Sequence, residues 1–134
     1  MIVEGERVVL AAAWVCLMLV YLLGDVLRIF AGDAEPGQMG GQTVSGGAWV
    51  GAALIMLVPI VMVMVSLLVP AGPLRWVTVV VAVGLALFNV LGLPYPGAYD
   101  NLLIVVGIAW VLVIGWLAWR WLPVATTTPV GAAV

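Results

Sequence analysis

The sequence predicts an all-α fold: a polytopic membrane protein whose single domain is an up-down bundle of four transmembrane helices. Two observations lead to this prediction. Of the 134 residues, 66% are hydrophobic and only 7% are charged, and the apolar residues fall into four long runs. A soluble domain of this size leaves much of its surface exposed and could not bury so many apolar side chains. We therefore expect the lipid bilayer to surround most of the protein.

Each apolar run is long enough to cross a hydrocarbon core of about 30 Å, which takes about 20 helical residues. The predicted helices cover about residues 8–30, 48–69, 74–93 and 102–122. Helices are expected because lipid offers the backbone no hydrogen-bond partner, and four segments are too few for a closed barrel.

The first run could instead be a cleaved signal peptide. Its start carries Glu4 and Glu6 beside a single Arg7, where a signal peptide has a basic stretch. Asp25 and Arg28 lie where a cleavage region is small and neutral. These charges favour a retained helix.

Proline and glycine mark the short connections at residues 70–73 and 94–97. Short connections join antiparallel neighbours, so the second, third and fourth helices are expected to form an up-down-up row. The long connection covers about residues 31–47, and residues 123–134 are expected to be a flexible tail.

Four crossings place both termini on one side of the membrane. Arg7, Arg75 and Arg120 fall on that side, and Arg28 falls on the other. By the positive-inside rule, both termini are predicted to be cytoplasmic in a bacterial cytoplasmic membrane. Aromatic residues support the boundaries of the spans. Trp49, Tyr95 and Tyr99 mark the outer boundary, and four tryptophans lie near the cytoplasmic one: Trp76, Trp116, Trp119 and Trp121.

Short motifs within the runs point to a family. They are Tyr21-x-x-x-Asp25, Pro59-Ile60-x-Met62, Arg75-Trp76 and the closing Trp116-x-Ala118-Trp119-Arg120-Trp121. In these residues the sequence resembles the small bacterial four-helix membrane proteins grouped as domain of unknown function 6326. The resemblance implies a topology and no activity. The chain departs from the family pattern at Val20, Leu57 and Thr78, where relatives tend to carry polar or acidic residues.

Ionisable groups within membrane helices are costly, so each is a candidate for function. Spacings of four and three residues put Tyr21, Asp25 and Arg28 on one face of the first helix, with Asp25 about 7 Å inside its outer end. One interpretation is a neutralised ion pair with Arg28 reaching the headgroups. The other is a proton or cation site that faces the bundle.

Asn89, Asp100 and Asn101 fall at the same outer end in the up-down order. Together with the stripe on the first helix, they could form an outward-facing polar vestibule. An ordinary explanation also exists, because Asp100 and Asn101 suit the N-cap and first turn of the fourth helix.

Pro59 falls in the middle of the second run and is expected to kink that helix, because proline frees a backbone carbonyl. Such a kink can create a hinge or a small cavity. Proline is also tolerated in many membrane helices without a special role.

Several kinds of chemistry are disfavoured. The chain has no His and no Lys, and Cys16 is its only cysteine, so we expect no haem, no disulfide and no nucleic-acid partner. No nucleophile–base pair, phosphate-binding loop or metal-ligand cluster is recognisable. The sequence thus predicts no enzyme activity, no cofactor and no metal.

Two functions stay open. The first is a structural or accessory membrane component that packs against itself or another membrane protein. The alternative is a small oligomeric transporter or proton-coupled exporter with a polar outer-leaflet site around Asp25. In size and span number it resembles the small multidrug exporters, which carry an essential Glu near the middle of helix one. Residues 16–20 are entirely apolar here, which favours the first function.

Overall fold

The computed structural model describes residues 4–122 and consists of four long helices and a small β-hairpin. The elements are α1 (Gly5–Phe30), β1 (Gln38–Met39), β2 (Gln42–Thr43), α2 (Gly46–Leu68), α3 (Ala71–Gly92) and α4 (Ala98–Trp121). All four helices are long and apolar enough to cross a membrane. The predicted all-α, multi-pass membrane fold is confirmed, whereas the predicted tail at 123–134 lies outside the described residues.

Three helices begin three or four residues earlier than the apolar runs indicate, since their first turns are polar or contain proline. Glu6 lies in the first turn of α1 and Asp100 in that of α4, where a negative charge interacts favourably with the helix dipole. Pro73 lies in the first turn of α3, where its missing N–H has no helical partner in any case.

The connection between α1 and α2 contains the β-hairpin, which the sequence analysis did not predict. Gln38 pairs with Thr43 and Met39 with Gln42 in an antiparallel register. Gly40 and Gly41 form the turn with φ angles of 62° and 79°. A two-residue hairpin loop of this kind needs positive φ at both positions, which glycine adopts without strain. We call this end of the bundle the hairpin end.

The opposite end, which carries Arg7, Arg75 and Arg120, is the arginine end. There the Arg7 guanidinium donates hydrogen bonds to the carbonyl oxygens of Ser66 and Leu67, each at 3.0 Å, and to that of Val69. These carbonyls at the end of α2 have no partner within their own helix. Arg7 therefore fastens the end of α2 to the beginning of α1.

The packing order around the bundle is α2, α1, α4, α3. The helices alternate in direction as predicted. The expected row of the second, third and fourth helices is wrong in one respect, because α2 and α3 make few contacts. Only Val69 and Pro70 separate these two helices in the sequence. The reason is that α2 packs along α1 and is fastened there by Arg7, while α3 packs along α4.

An apolar groove of about 250 Å³ consequently separates α2 from α3. It is lined by Ile55, Val58, Val81, Gly84, Leu85 and Phe88, and we call it the α2–α3 groove. Pro59 is buried beside it, and α2 continues through this proline. Because proline lacks an N–H, the Ile55 carbonyl loses its usual helical partner. The kink at Pro59 stays a prediction.

The centre of the bundle is filled mainly by apolar side chains around Trp14, which is fully buried together with Leu17, Val111 and Ile114. Small residues bring α3 and α4 together: a Cβ built on Gly115 would lie only 3.4 Å from the Cβ of Ala82. Close approach over small residues is the usual way in which membrane helices pack.

Candidate functional site

The main polar contact at the hairpin end is a bidentate ion pair between Arg28 and Asp100. Arg28 Nε donates to Asp100 Oδ2 at 2.8 Å, and Arg28 Nη2 donates to Asp100 Oδ1 at 2.7 Å. The side chains are 28% and 4% exposed, respectively. Arg28 lies in the last turn of α1 and Asp100 in the first turn of α4, so each charge also suits its helix dipole. This pair joins α1 to α4.

Asp25 is a secondary partner of Arg28. Its Oδ1 lies 3.6 Å from Arg28 Nη1, and its side chain is 57% exposed. The sequence predicts a site centred on Asp25, but in the structure Asp100 is the closer acidic partner of Arg28. This arrangement fits the neutralised ion pair and gives no support to a cation site that faces the bundle.

Tyr21 and Asn89 form a second contact, which joins α1 to α3. Asn89 Nδ2 donates to the Tyr21 hydroxyl oxygen at 2.6 Å and to the Leu85 carbonyl oxygen at 2.7 Å. Asn89 is only 7% exposed. Gly107 of α4 leaves space for this pair, since a Cβ built there would lie 3.3 Å from the Tyr21 ring.

The Asn101 side chain forms hydrogen bonds with the backbone of the α3–α4 connection. The Tyr95 N–H donates to Asn101 Oδ1 at 2.9 Å, and Asn101 Nδ2 donates to the Tyr95 carbonyl oxygen at 2.8 Å. The Tyr95 ring centroid in turn lies 4.7 Å from the Arg28 guanidinium carbon, a cation–π distance. The N-cap of α4 is Gly97, so the expected N-cap role is wrong, whereas the expected place of Asp100 in the first turn of α4 is confirmed.

Two tyrosines belong to this region although they were not among the candidate residues. Tyr95 lies against Arg28, and the Tyr99 hydroxyl donates a hydrogen bond to a carboxylate oxygen of Asp33. The latter contact ties α4 to the segment after α1. Tyrosines beside a proline-rich connection at a membrane boundary are the signal that could have found them.

All six predicted residues therefore come together at the hairpin end, and each has a partner. We call this set the hairpin-end network: Tyr21, Asp25, Arg28, Asn89, Asp100 and Asn101. Its contacts are internal to the bundle, and none of its residues lines the α2–α3 groove. Among the described residues there is no group of three or more His, Cys, Asp or Glu side chains that could hold a metal ion. The network is suited to holding helices together.

We expect Asp100→Asn to lower the free energy of unfolding in detergent by about 2 kcal/mol, because hydrogen bonds to a charged partner contribute about 1.5–3 kcal/mol. The matched change Asp25→Asn should cost less than about 0.5 kcal/mol, because this carboxylate is exposed and 3.6 Å from Arg28. Equilibrium unfolding monitored by circular dichroism would measure both. Equal losses would contradict the ranking of the two acids.

Comparison with known proteins finds no match to a family model, to a curated protein or to a solved structure.

Proposed function

We propose that the protein is a structural component of its membrane, without catalytic activity, that acts by lateral contact between helices. The α2–α3 groove is the observation that carries this proposal. The ion pairs and hydrogen bonds at the hairpin end are formed within the chain, whereas the groove is an apolar concavity between the apolar helices α2 and α3. A helix packed into it would complete the partly closed bundle.

Helix α2 is the least enclosed part of the bundle. In its most apolar window 17% of the residues are buried, against 33% in α1. On the facing helix, Gly84 has open space around it: no heavy atom of the described chain lies within 4 Å of a Cβ built there. A small residue in a groove allows another helix to approach closely, and such packing drives helix association in lipid.

A second copy of this chain is the partner that we propose for the groove. Leu54, Leu57 and Val61 form an exposed apolar ridge on α2, next to the groove residues Ile55 and Val58. A two-fold axis along the membrane normal keeps every residue at the same depth in both copies. It would therefore bring the ridge of each copy to the level of the groove in the other, as a self-complementary interface requires.

The alternative, a small oligomeric transporter with a site around Asp25, has less support. Asp25 lies at the exposed edge of the bundle, and Arg28 is already paired with the buried Asp100. The apolar packing around Trp14 fills the centre of the bundle. A transport path would need these contacts to open, and the proposed lateral role does not.

Gly84→Leu tests the proposed interface. Because the site is open, the variant should keep its thermal midpoint, but its side chain would fill the groove and weaken self-association about tenfold, which corresponds to about 1.4 kcal/mol. Association would be measured in vesicles by energy transfer between copies labelled at Glu35→Cys in a Cys16→Ala background.

Ala12→Leu is the matched control, because Ala12 is exposed on α1 and its enlargement should leave the energy transfer unchanged. Loss of transfer on diluting the wild-type protein with lipid would report reversible association. A wild-type protein that shows only random-proximity transfer at all dilutions is a monomer, and that result would overturn the proposal.

We further propose that the membrane is the cytoplasmic membrane of a bacterium and that both termini are cytoplasmic. Support comes from the placement of Arg7, Arg75 and Arg120 at the arginine end, with Arg28 at the other end, and from the positive-inside rule. Membership of domain of unknown function 6326 is likewise a proposal, which the sequence motifs alone support.

Two single-cysteine variants in the Cys16→Ala background test the orientation. Glu35 precedes the hairpin and Glu4 precedes α1, and both are exposed. In intact bacterial cells, a membrane-impermeant maleimide should label Glu35→Cys, whereas Glu4→Cys should react only after permeabilisation. The reverse pattern would show that the termini face outward.

A further inference from the structure

The arginine end carries a cluster in which two guanidinium groups lie on indole rings. The Arg75 guanidinium carbon is 3.8 Å from the ring centroid of Trp119, and that of Arg120 is 5.3 Å from the ring centroid of Trp116. Trp76 contacts Trp119 edge to face, with 5.5 Å between their centroids. We call these five residues the arginine–tryptophan cluster.

The cluster is formed by two helices, with Arg75 and Trp76 on α3 and the other three residues on α4. Trp116 and Arg120 are one turn apart on α4, so they share a face. Arg75 is about 6 Å from the first residue of α3, at the same end of the bundle. The three indoles are about half exposed, which is typical of tryptophans at the boundary between hydrocarbon and headgroups.

No carboxylate within residues 4–122 pairs with the positive charges of this cluster. Within residues 4–122, the ion pairs to carboxylates are made by Arg28, and neither Arg75 nor Arg120 forms one. Arg75 Nε is buried, and the described residues provide no acceptor for it. Guanidinium carries five N–H donors in a rigid fork, so the cluster presents donors and charge without matching acceptors.

We propose that the arginine–tryptophan cluster binds the phosphate group of an anionic phospholipid. Guanidinium groups recognise phosphate through paired charge-assisted hydrogen bonds, and a headgroup phosphate is the acceptor available at this depth. The half-exposed indoles would pack against the glycerol and upper acyl chain. Free inorganic phosphate offers the same acceptor oxygens but has no apolar part to meet these rings. The site is separate from the α2–α3 groove and does not depend on self-association.

Tryptophan quenching by brominated lipids tests this site. The protein would carry Trp49→Phe, which removes the exposed indole at the hairpin end, and would be placed in phosphatidylcholine vesicles. Brominated phosphatidylglycerol should quench it more strongly than brominated phosphatidylcholine. Each of Arg75→Gln and Arg120→Gln should lower this preference about fivefold, the factor expected for one interfacial arginine. Equal quenching by the two lipids in the parent protein would overturn the proposal. An unchanged preference in the double variant Arg75→Gln with Arg120→Gln would do the same.

The double variant Arg75→Lys with Arg120→Lys keeps the charges and replaces the forked donors. It should retain a preference between those of the parent and the double Gln variant, because charge is kept and the paired donors are lost; a value equal to the parent's would show that charge alone carries the preference and would overturn the recognition by guanidinium. Thermal midpoints would confirm that the variants fold, and Lys variants that fold keep the test valid if the Gln variants do not.

Inorganic phosphate, added in excess, should leave the lipid preference intact. Loss of the lipid preference in excess inorganic phosphate would overturn the proposal, because it would show that the cluster binds a soluble phosphate compound.

Discussion

The ion pair between Arg28 and Asp100 is the contact on which the arrangement of the bundle depends. It joins the last turn of α1 to the first turn of α4 through two hydrogen bonds of 2.8 and 2.7 Å, with Asp100 almost fully buried. Removing Arg28 would leave the buried Asp100 carboxylate without its ion-pair partner, which is more costly than losing an exposed pair. The Tyr21–Asn89 hydrogen bond then adds α3 to the same end. Three of the four helices are thereby held together at the hairpin end.

Helix α2 is held differently, and the groove results from that difference. Its end is fastened by Arg7 at the arginine end, and its length packs along α1 and not along α3. In lipid there is little hydrophobic force to close the gap, because lipid chains are as apolar as the helix surfaces. The space beside Gly84 can therefore remain open to another helix. This open surface is what supports the proposed role in lateral packing.

Much of the fold could be predicted from the sequence, because long apolar runs and short Pro/Gly connections leave few options in a membrane. The up-down order also brought the polar residues to one end. A spacing of three residues makes Asp25 the neighbour of Arg28 on the helix, and the two do form an ion pair at 3.6 Å. The closer partner, Asp100, could not be predicted, because it lies 72 residues away and meets Arg28 only through tertiary packing. Likewise, the two hydrogen bonds between the Asn101 side chain and the Tyr95 backbone depend on the path of the α3–α4 connection, which composition does not determine.

The most direct measurement is a double-mutant cycle on Arg28→Gln and Asp100→Asn, with the free energy of unfolding determined in detergent for the parent, both single variants and the double variant. If the pair joins α1 to α4 as described, the two changes should couple by about 2 kcal/mol, near the upper range for contacting residues. The double variant should then be only slightly less stable than either single variant. A coupling energy near zero, with additive losses, would contradict the central role assigned to this ion pair.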